Sequence, residues 1–210
     1  KLAAVVFFGG CNFKCPFCHN YELAVYPERQ EDLDYELVLG ELERRKKIID
    51  GVVLTGGEPT LYPDLIDFAK QIKAMGLLVK LDTNGYRPDV LKQILDLKIA
   101  DFVSMDIKSA LNEEKYKKAA GIPKIEIGKI MESIALLMNS ETDYEFRTSV
   151  ISQFVSREDI FEIAGHIKGA KAYCLQSANP DLEEFSGPSG EEIKGWVEEL
   201  KNLGMNAVYK

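Results

Sequence analysis

Cysteine and histidine are scarce in this 210-residue chain, which has only four Cys and two His. Small secreted domains that depend on disulfides carry a much higher density of cysteines. Three of the four cysteines here lie within eight residues of each other, where they would bridge poorly. The scarcity therefore excludes a disulfide framework and favours a reducing, cytoplasmic setting.

Long apolar runs are lacking as well. The run at residues 2–8 has seven residues, which is the lower limit for the hydrophobic part of a signal peptide, although the Gly-Gly-Cys that follows resembles a lipoprotein cleavage site. No other run approaches the ~18 apolar residues that a membrane span requires. We expect neither a membrane span nor a targeting sequence. Because the chain begins at Lys1 without a methionine, the numbering leaves room for a short missing N-terminal segment.

Positive charge is in deficit, with 26 Lys and Arg against 34 Asp and Glu and a net charge of −8. Proteins that bind nucleic acid through its phosphates are normally basic, so this balance argues, though weakly, against a nucleic-acid partner. The densest group of lysines lies between residues 115 and 124, and glutamates at positions 113, 114 and 126 flank it. We interpret this group as solvated surface.

The three clustered cysteines, Cys11, Cys15 and Cys18, form a C-x3-C-x2-C loop directly after the first apolar run. A [4Fe–4S] cube normally takes four Cys ligands, so three from one loop would leave one iron open to a substrate or cofactor. Zinc sites instead pair two C-x2-C motifs or add two downstream His. His19 directly follows the third Cys and His166 lies far along the chain, so a zinc knuckle is poorly supported. The loop predicts an iron–sulfur cluster, with zinc or free thiols as the alternatives.

Short apolar runs alternate with segments of helical periodicity along the rest of the chain. The runs predict six strands, at residues 2–8, 52–55, 77–82, 102–107, 144–151 and 170–176, and a candidate seventh near 206–209. Helices are predicted near residues 34–49, 65–75, 88–97, 127–138, 160–167 and 193–200, the last two behind the caps Ser156 and Ser189. This alternation is typical of βαβ units on a parallel sheet, either doubly wound or an incomplete (β/α) barrel. No linker-like segment divides the chain, so we expect one domain over residues 1–210.

Polar residues follow the predicted strands, and in either architecture the carboxyl ends of the strands meet at one edge. The residues are Gly56, Gly57, Glu58, Asp82, Thr83, Ser104, Asp106, Lys108, Arg147 and Gln176. Taken singly, each has an ordinary explanation, since the glycine pair and residues 82–85 are good turn sequences and Lys108 could be a surface lysine. Taken together, they could bind an ammonium group, a carboxylate and a ribose, which all belong to S-adenosylmethionine (SAM).

Four segments resemble the radical SAM superfamily: residues 10–20, which contain the Cys loop, and residues 55–59, 81–85 and 105–108. The first, third and fourth resemble more narrowly the glycyl-radical-enzyme activating proteins, in particular those of anaerobic ribonucleoside-triphosphate reductases. The resemblance extends from the start of the chain to about Gln176. It implies an incomplete (β/α)6 TIM-like barrel with parallel strands.

The resemblance also implies the cofactors and their ligands. Cys11, Cys15 and Cys18 would ligate three irons of a [4Fe–4S] cluster, and SAM would chelate the fourth through its amino and carboxylate groups. The remaining contacts implied are Phe17 with adenine, Gly56, Gly57 and Glu58 with the ammonium group, Lys108 and Arg147 with ribose or carboxylate, and Asp82, Thr83, Asp106 and the Ser104 backbone with a monovalent cation near the SAM carboxylate. After strand six, residues 177–179 replace a segment whose His contacts SAM in the more distantly similar pyruvate formate-lyase activating enzymes, which leaves that ribose contact unassigned.

The implied reaction is reductive cleavage of SAM to methionine and a 5′-deoxyadenosyl radical, which would take a hydrogen atom from a backbone glycine of a large partner. The expected partners are a glycyl radical enzyme, first of all an anaerobic ribonucleotide reductase, and a flavodoxin or ferredoxin-type electron donor. A radical SAM enzyme that acts on a small molecule or on tRNA is the main alternative, and an iron–sulfur carrier or sensor is a more distant one. We interpret Cys174 as a buried structural thiol rather than a ligand of a second cluster.

Overall fold

A seven-stranded, entirely parallel sheet organises the computed structural model, which describes residues 1–178 and 184–210. Its strands are β1 (Ala3–Phe8), β2 (Gly51–Gly56), β3 (Leu78–Thr83), β4 (Phe102–Asp106), β5 (Asp143–Val150), β6 (Tyr173–Ser177) and β7 (Ala207–Tyr209). Their order in the sheet is their order in the chain, as in a (β/α) barrel, whereas a doubly wound sheet reverses direction at a switch point. Within the described residues the sheet runs from β1 to β7 without closing on itself, so the prediction of an incomplete barrel is confirmed.

Helices fill the connections between the strands. In the described part of the chain they are α1 (Tyr21–Val25), α2 (Tyr35–Arg45), α3 (Leu65–Ala74), α4 (Pro88–Asp96), α5 (Glu113–Ala120), α6 (Ile127–Met138), α7 (Arg157–His166) and α8 (Gly190–Asn202). The predicted caps are present, since Ser156 and Ser189 each accept a hydrogen bond from a backbone N–H in the first turn of α7 and α8. None of these helices is long and apolar enough to cross a membrane.

The main differences from the predicted elements lie at strand six and at α5. Strand β6 begins at Tyr173 rather than at residue 170, because the Ala170 amide donates to the Ile167 carbonyl in the turn that ends α7. Helix α5 was not predicted as a helix, although its lysines lie on the solvated surface as expected, with Lys115 and Lys118 exposed and Lys117 half-buried. One of its faces is buried through Tyr116, Ala119 and Ala120. Of residues 177–179, where the chain departs from the family pattern, position 179 lies outside the described residues.

The register of the sheet decides which side chains meet, because paired residues of parallel strands point to the same face. Leu54, Leu81 and Met105 point to one face of the sheet, called here the outer face, and are buried in the hydrophobic core. The opposite face, called the inner face, carries polar side chains in register. The neighbouring pairs are Asp82 and Ser104, Ser104 and Glu145, Asp106 and Arg147, and Ser149 and Gln176. The predicted site residues of three strands are thereby brought into adjacent rows.

The C-terminal end of helix α5 supports the Cys loop through backbone contacts. The Lys14 amide, between the first two cysteines, donates to the Ala120 carbonyl at 2.8 Å. The next residue, Gly121, ends the helix with a left-handed backbone (φ 64°), and a Cβ on it would lie 1.9 Å from the Lys14 carbonyl oxygen. Only glycine permits this approach of the helix end to the loop.

The substitution Gly121→Ala should therefore destabilise the protein more than Gly169→Ala. Gly169 also has a left-handed backbone (φ 91°), but a Cβ there meets nothing within 4 Å. Both variants should lose roughly 1 kcal/mol for the backbone conformation. Gly121→Ala should lose a further ~1–3 kcal/mol because the loop must move. Urea unfolding of the metal-free variants measures the difference. Equal losses in the free energy of unfolding would contradict the inference that the end of α5 supports the Cys loop.

Candidate active site at the strand ends

A cavity of about 250 Å³ opens at the carboxyl ends of the strands. All but one of the site residues predicted from the sequence line it, together with several that were not assigned a role. The predicted ones are Cys11, Cys15, Phe17, Cys18, Gly56, Gly57, Glu58, Asp82, Thr83, Asp106, Lys108 and Arg147. The structure thus brings these residues together at the strand ends, and the exception is Ser104.

The Cys loop is held by buried aromatic side chains. Phe13 is 2% exposed and packs against Tyr86 and Tyr116, with ring centroids 5.3 and 6.4 Å away. The loop turns between its second and third cysteines, where the Cys18 amide donates to the Cys15 carbonyl at 3.1 Å. Phe13 anchors the loop in the core, so that all three thiols face the cavity.

The environment of the thiols suits metal ligation. Burial, followed by the nearby Glu58 carboxylate, raises the pKa of Cys11 to about 12. Burial likewise raises the pKa of Cys15 to about 11. Without metal both groups are therefore neutral thiols near pH 7, unlike the low-pKa thiolates of cysteine nucleophiles. A bound metal would supply the positive charge that their ionisation requires.

The three thiols do not surround a single point. Among the residues that the structure describes, no three Cys, His, Asp or Glu side chains are grouped so as to hold one metal ion. In a [4Fe–4S] cube each thiolate binds its own iron, so three separate thiols along a loop are the donor set that a cube needs.

The glycine pair at the end of β2 holds the following turn against the start of the Cys loop. The Gly57 amide donates to the Phe8 carbonyl at 2.7 Å, and the Glu58 amide donates to the Gly10 carbonyl at 2.9 Å. A Cβ on Gly57 would lie 1.9 Å from the Gly10 oxygen. The pair therefore has a structural function in joining two backbone segments, whatever ligand it also contacts.

The Glu58 carboxylate is 1% exposed and accepts four hydrogen bonds. Its Oε1 accepts from the Thr60 amide (3.1 Å), the Thr60 hydroxyl (2.6 Å) and the Thr83 hydroxyl (2.8 Å), and its Oε2 accepts from the Asn84 amide (2.7 Å). Burial raises the pKa of Glu58, and these donors act in the opposite direction. Glu58 thus ties the end of β2 to the end of β3 while one edge of it lines the cavity.

Five charged side chains form a continuous network on the inner face of β3, β4 and β5. Arg147 donates from Nε to Asp106 Oδ1 at 2.7 Å and from Nη1 to Asp82 Oδ2 at 3.4 Å. Lys108 Nζ donates to Asp106 Oδ2 at 2.8 Å, and Lys80 Nζ is paired with Asp82 Oδ1. Burial alone would raise the pKa of Asp106, but Arg147 and then Lys108 hold it well below its usual range. Both aspartates at the strand ends are therefore compensated by protein cations.

Phe17 forms part of an aromatic wall of the cavity. It is 6% exposed, and its ring packs against Phe154 and Phe185 with centroids 5.2 and 6.5 Å away. The latter two phenylalanines come from distant loops, and no sequence pattern had singled them out.

Ser104 is fully buried and does not line the cavity. Its hydroxyl donates to Glu145 Oε1 at 2.9 Å, and Glu145 Oε2 accepts from Lys210 Nζ at 2.7 Å. Conversely, Ser149 lines the cavity although we assigned it no role. The signal was available, because Ser149 lies two residues beyond Arg147 on the same strand and so on the same face.

Comparisons with known proteins agree with this geometry. The family model of the Radical SAM superfamily matches residues 5–167. A Methanocaldococcus jannaschii protein named as a glycyl-radical enzyme activating enzyme is 33% identical, over 86% of this chain and 74% of its own length. The pyruvate formate-lyase-activating enzyme of Clostridium pasteurianum is 31% identical, over 96% of this chain and 91% of its own. A protein of Saccharolobus solfataricus named as a GTP 3′,8-cyclase is 32% identical, over 83% of this chain and 60% of its own.

Solved structures share the fold at low sequence identity. Streptococcus suis SuiB bound to S-adenosylmethionine superimposes with a TM-score of 0.76 at 15% identity, covering 100% of this chain and 50% of that chain. TYW1 with a lysine-pyruvate adduct bound superimposes with a TM-score of 0.68 at 19% identity, over 95% of this chain and 70% of that chain. The chain thus spans about half the length of SuiB.

Replacing Glu58 by Gln should test the hydrogen-bond account of this carboxylate. Whichever way the amide is turned, its NH2 group faces a fixed backbone donor, from Thr60 or from Asn84. The free energy of unfolding should fall by about 1–3 kcal/mol. The matched control Glu126→Gln removes an exposed carboxylate paired with Lys129 and should change it by less than ~0.5 kcal/mol. Equal effects in urea unfolding would contradict the account.

Proposed function

Because the chain belongs to the radical SAM superfamily, we propose that it is an activating enzyme that generates a glycyl radical on a large partner enzyme. Membership of this superfamily implies a [4Fe–4S] cluster and SAM as cofactors. The observation that carries the proposal is that the Cys loop and the strand-end charges line one cavity, in a chain similar over most of its length to proteins named as activating enzymes. We take residues 1–210 as one radical SAM domain.

The cluster would be held by Cys11, Cys15 and Cys18. These are three soft donors on one loop, and the fourth cysteine, Cys174, is fully buried and does not line the cavity. The donor set therefore fits a cube with one iron left free for SAM. The chemistry that a bound cluster would supply is the electron for reductive cleavage of SAM to methionine and a 5′-deoxyadenosyl radical, which would take a hydrogen atom from a backbone glycine of the partner.

The other lining residues would hold SAM. Lys108 and Arg147 give the cavity a positive edge suited to a carboxylate or to ribose hydroxyls. Phe17 would offer an apolar ring to the adenine, and Phe154 packs against that ring. Gly56, Gly57 and Glu58 would meet the ammonium group, with Glu58 kept in one orientation by its four donors.

A monovalent cation, which the resemblance implied near the SAM carboxylate, fits these residues poorly. The oxygens of Asp82 and Asp106 that would ligate it already accept hydrogen bonds from lysine and arginine. We therefore include no such cation in the proposed site.

The proposed partner is a large glycyl radical enzyme, with an anaerobic ribonucleotide reductase as the first candidate, and the proposed reductant is a flavodoxin or ferredoxin-type protein. The sheet is open between β1 and β7, which would let a loop of the partner reach the cavity. The similarity to a protein named as a GTP 3′,8-cyclase favours a small-molecule substrate as the second candidate.

Anaerobic reconstitution with iron and sulfide tests the proposal. The protein should take up about four irons per chain and, with dithionite and SAM, release 5′-deoxyadenosine. Incubation with a candidate partner should then produce a glycyl radical signal by electron paramagnetic resonance. Changing the three loop cysteines to Ala should abolish all of these, whereas Cys174→Ala should leave the iron content unchanged.

Two results would contradict the proposal. Retention of zinc instead of iron, or full activity in the triple Ala variant, would show that the protein does not depend on an iron–sulfur cluster. Release of 5′-deoxyadenosine in step with a modified nucleotide or tRNA, and with no radical on any partner, would favour the second candidate.

A further inference from the structure

The carboxylate oxygens at the ends of β3 and β4 are all engaged by groups of the protein. Asp82 Oδ1 is paired with Lys80, and Asp82 Oδ2 accepts from Arg147 at 3.4 Å and from the Thr55 hydroxyl at 3.2 Å. Asp106 Oδ1 accepts from Arg147 and Oδ2 from Lys108. A metal ion bound to these oxygens would lie beside an ammonium or a guanidinium group that already compensates the carboxylate charge.

The other implied cation ligands are engaged elsewhere. The Thr83 hydroxyl donates to Glu58 at 2.8 Å and accepts from the Gly85 amide at 3.1 Å. Ser104, whose backbone was the remaining implied ligand, does not line the cavity. The chemistry that would make this a cation site is therefore already used within the protein.

The charges of the network lead to the same conclusion. The network contains three cations and two carboxylates and so carries one surplus positive charge, while the Glu58 carboxylate in the same cavity is held by its own four hydrogen-bond donors. The five side chains are only 16–30% exposed, so they are screened by water much less than surface charges are. A further cation would double the surplus, whereas a carboxylate would cancel it.

Lys80 is the unexpected member of this network. It lies two residues before Asp82 on β3, so both side chains point to the inner face. A charged residue in this half-buried position requires compensation, which Asp82 provides.

We propose that Lys80 and Arg147 take the electrostatic place of a monovalent cation, so that this chain binds SAM without one. The inference rests on the proposed function, because it concerns the SAM carboxylate. Lys80 is then a positioning residue. Its positive charge compensates Asp82, so that the combined charge of Arg147 and Lys108 exceeds that of Asp106 and remains available to the SAM carboxylate.

The dissociation constant of SAM, measured on the reconstituted protein at constant ionic strength, tests this inference. Its value should agree within about twofold in potassium, sodium and tetramethylammonium salts, because no metal cation is needed. In Lys80→Met, Asp82 loses its nearest counter-charge, and SAM should bind about tenfold more weakly in tetramethylammonium. Potassium should restore part of that loss, and Lys80→Arg should bind as the wild type does.

Lys210→Met is the matched control, since Lys210 pairs with Glu145 on the same face and contacts neither aspartate. It should bind SAM as the wild type does in all three salts. Thallium-205 magnetic resonance gives a second readout, and a site should be detected in Lys80→Met but not in the wild type.

Two results would overturn the inference: a wild-type affinity that falls about tenfold or more when potassium is removed, or a Lys80→Met variant that matches Lys210→Met. If Lys80→Met does not fold, the wild-type salt series still decides between the two accounts. Failure of the cluster-loaded protein to bind SAM in any salt would instead overturn the proposed function, and the inference with it.

Discussion

The charged network at the carboxyl ends of the strands depends on Arg147, whose guanidinium group bridges the carboxylates at the ends of two neighbouring strands. In a parallel sheet Asp82 and Asp106 necessarily lie near each other, and two partly buried negative charges would repel one another and be poorly solvated. Arg147 removes that cost at the centre of the pair, while Lys80 and Lys108 compensate the outer oxygens. The result is a rigid inner face that carries one surplus positive charge. Buried ion pairs are weak evidence of stability, and we propose that here the arrangement serves recognition of an anionic group.

The Cys loop meets this charged face because backbone contacts fix it on two sides. On one side the turn after β2 binds the backbone of Phe8 and Gly10, and on the other the end of α5 binds Lys14. These contacts fix the positions of the three cysteines, and burial raises the pKa of Cys11 and Cys15. Positive charge lies on the strand ends and soft sulfur donors lie on the loop. That combination suits a cluster and a zwitterionic ligand in one cavity.

Much of this arrangement could be predicted from the sequence, and the remainder depended on three-dimensional contacts. The alternation of apolar runs with helical periods predicted the parallel sheet, and the polar residues after the strands were expected to lie together, as they do around the cavity. Helix α5 was missed because its lysine-rich sequence resembles solvated surface, and only Tyr116 and two alanines face the core. The partners of Phe17 could not be predicted, since Phe154 and Phe185 come from loops distant in sequence. The role of Lys80 could not be predicted, because it lies within a largely apolar strand and its effect depends on which residues lie beside β3 in the sheet.

The central claim is that an iron left free by three cysteines lies next to the carboxylate-binding face of the strands. Electron–nuclear double resonance of the reduced cluster tests it most directly, with SAM labelled by 15N in the amino group and 17O in the carboxylate. The account predicts that both labels are coupled to the cluster spin, because both groups would bind the open iron. Bound SAM with neither coupling would contradict the account.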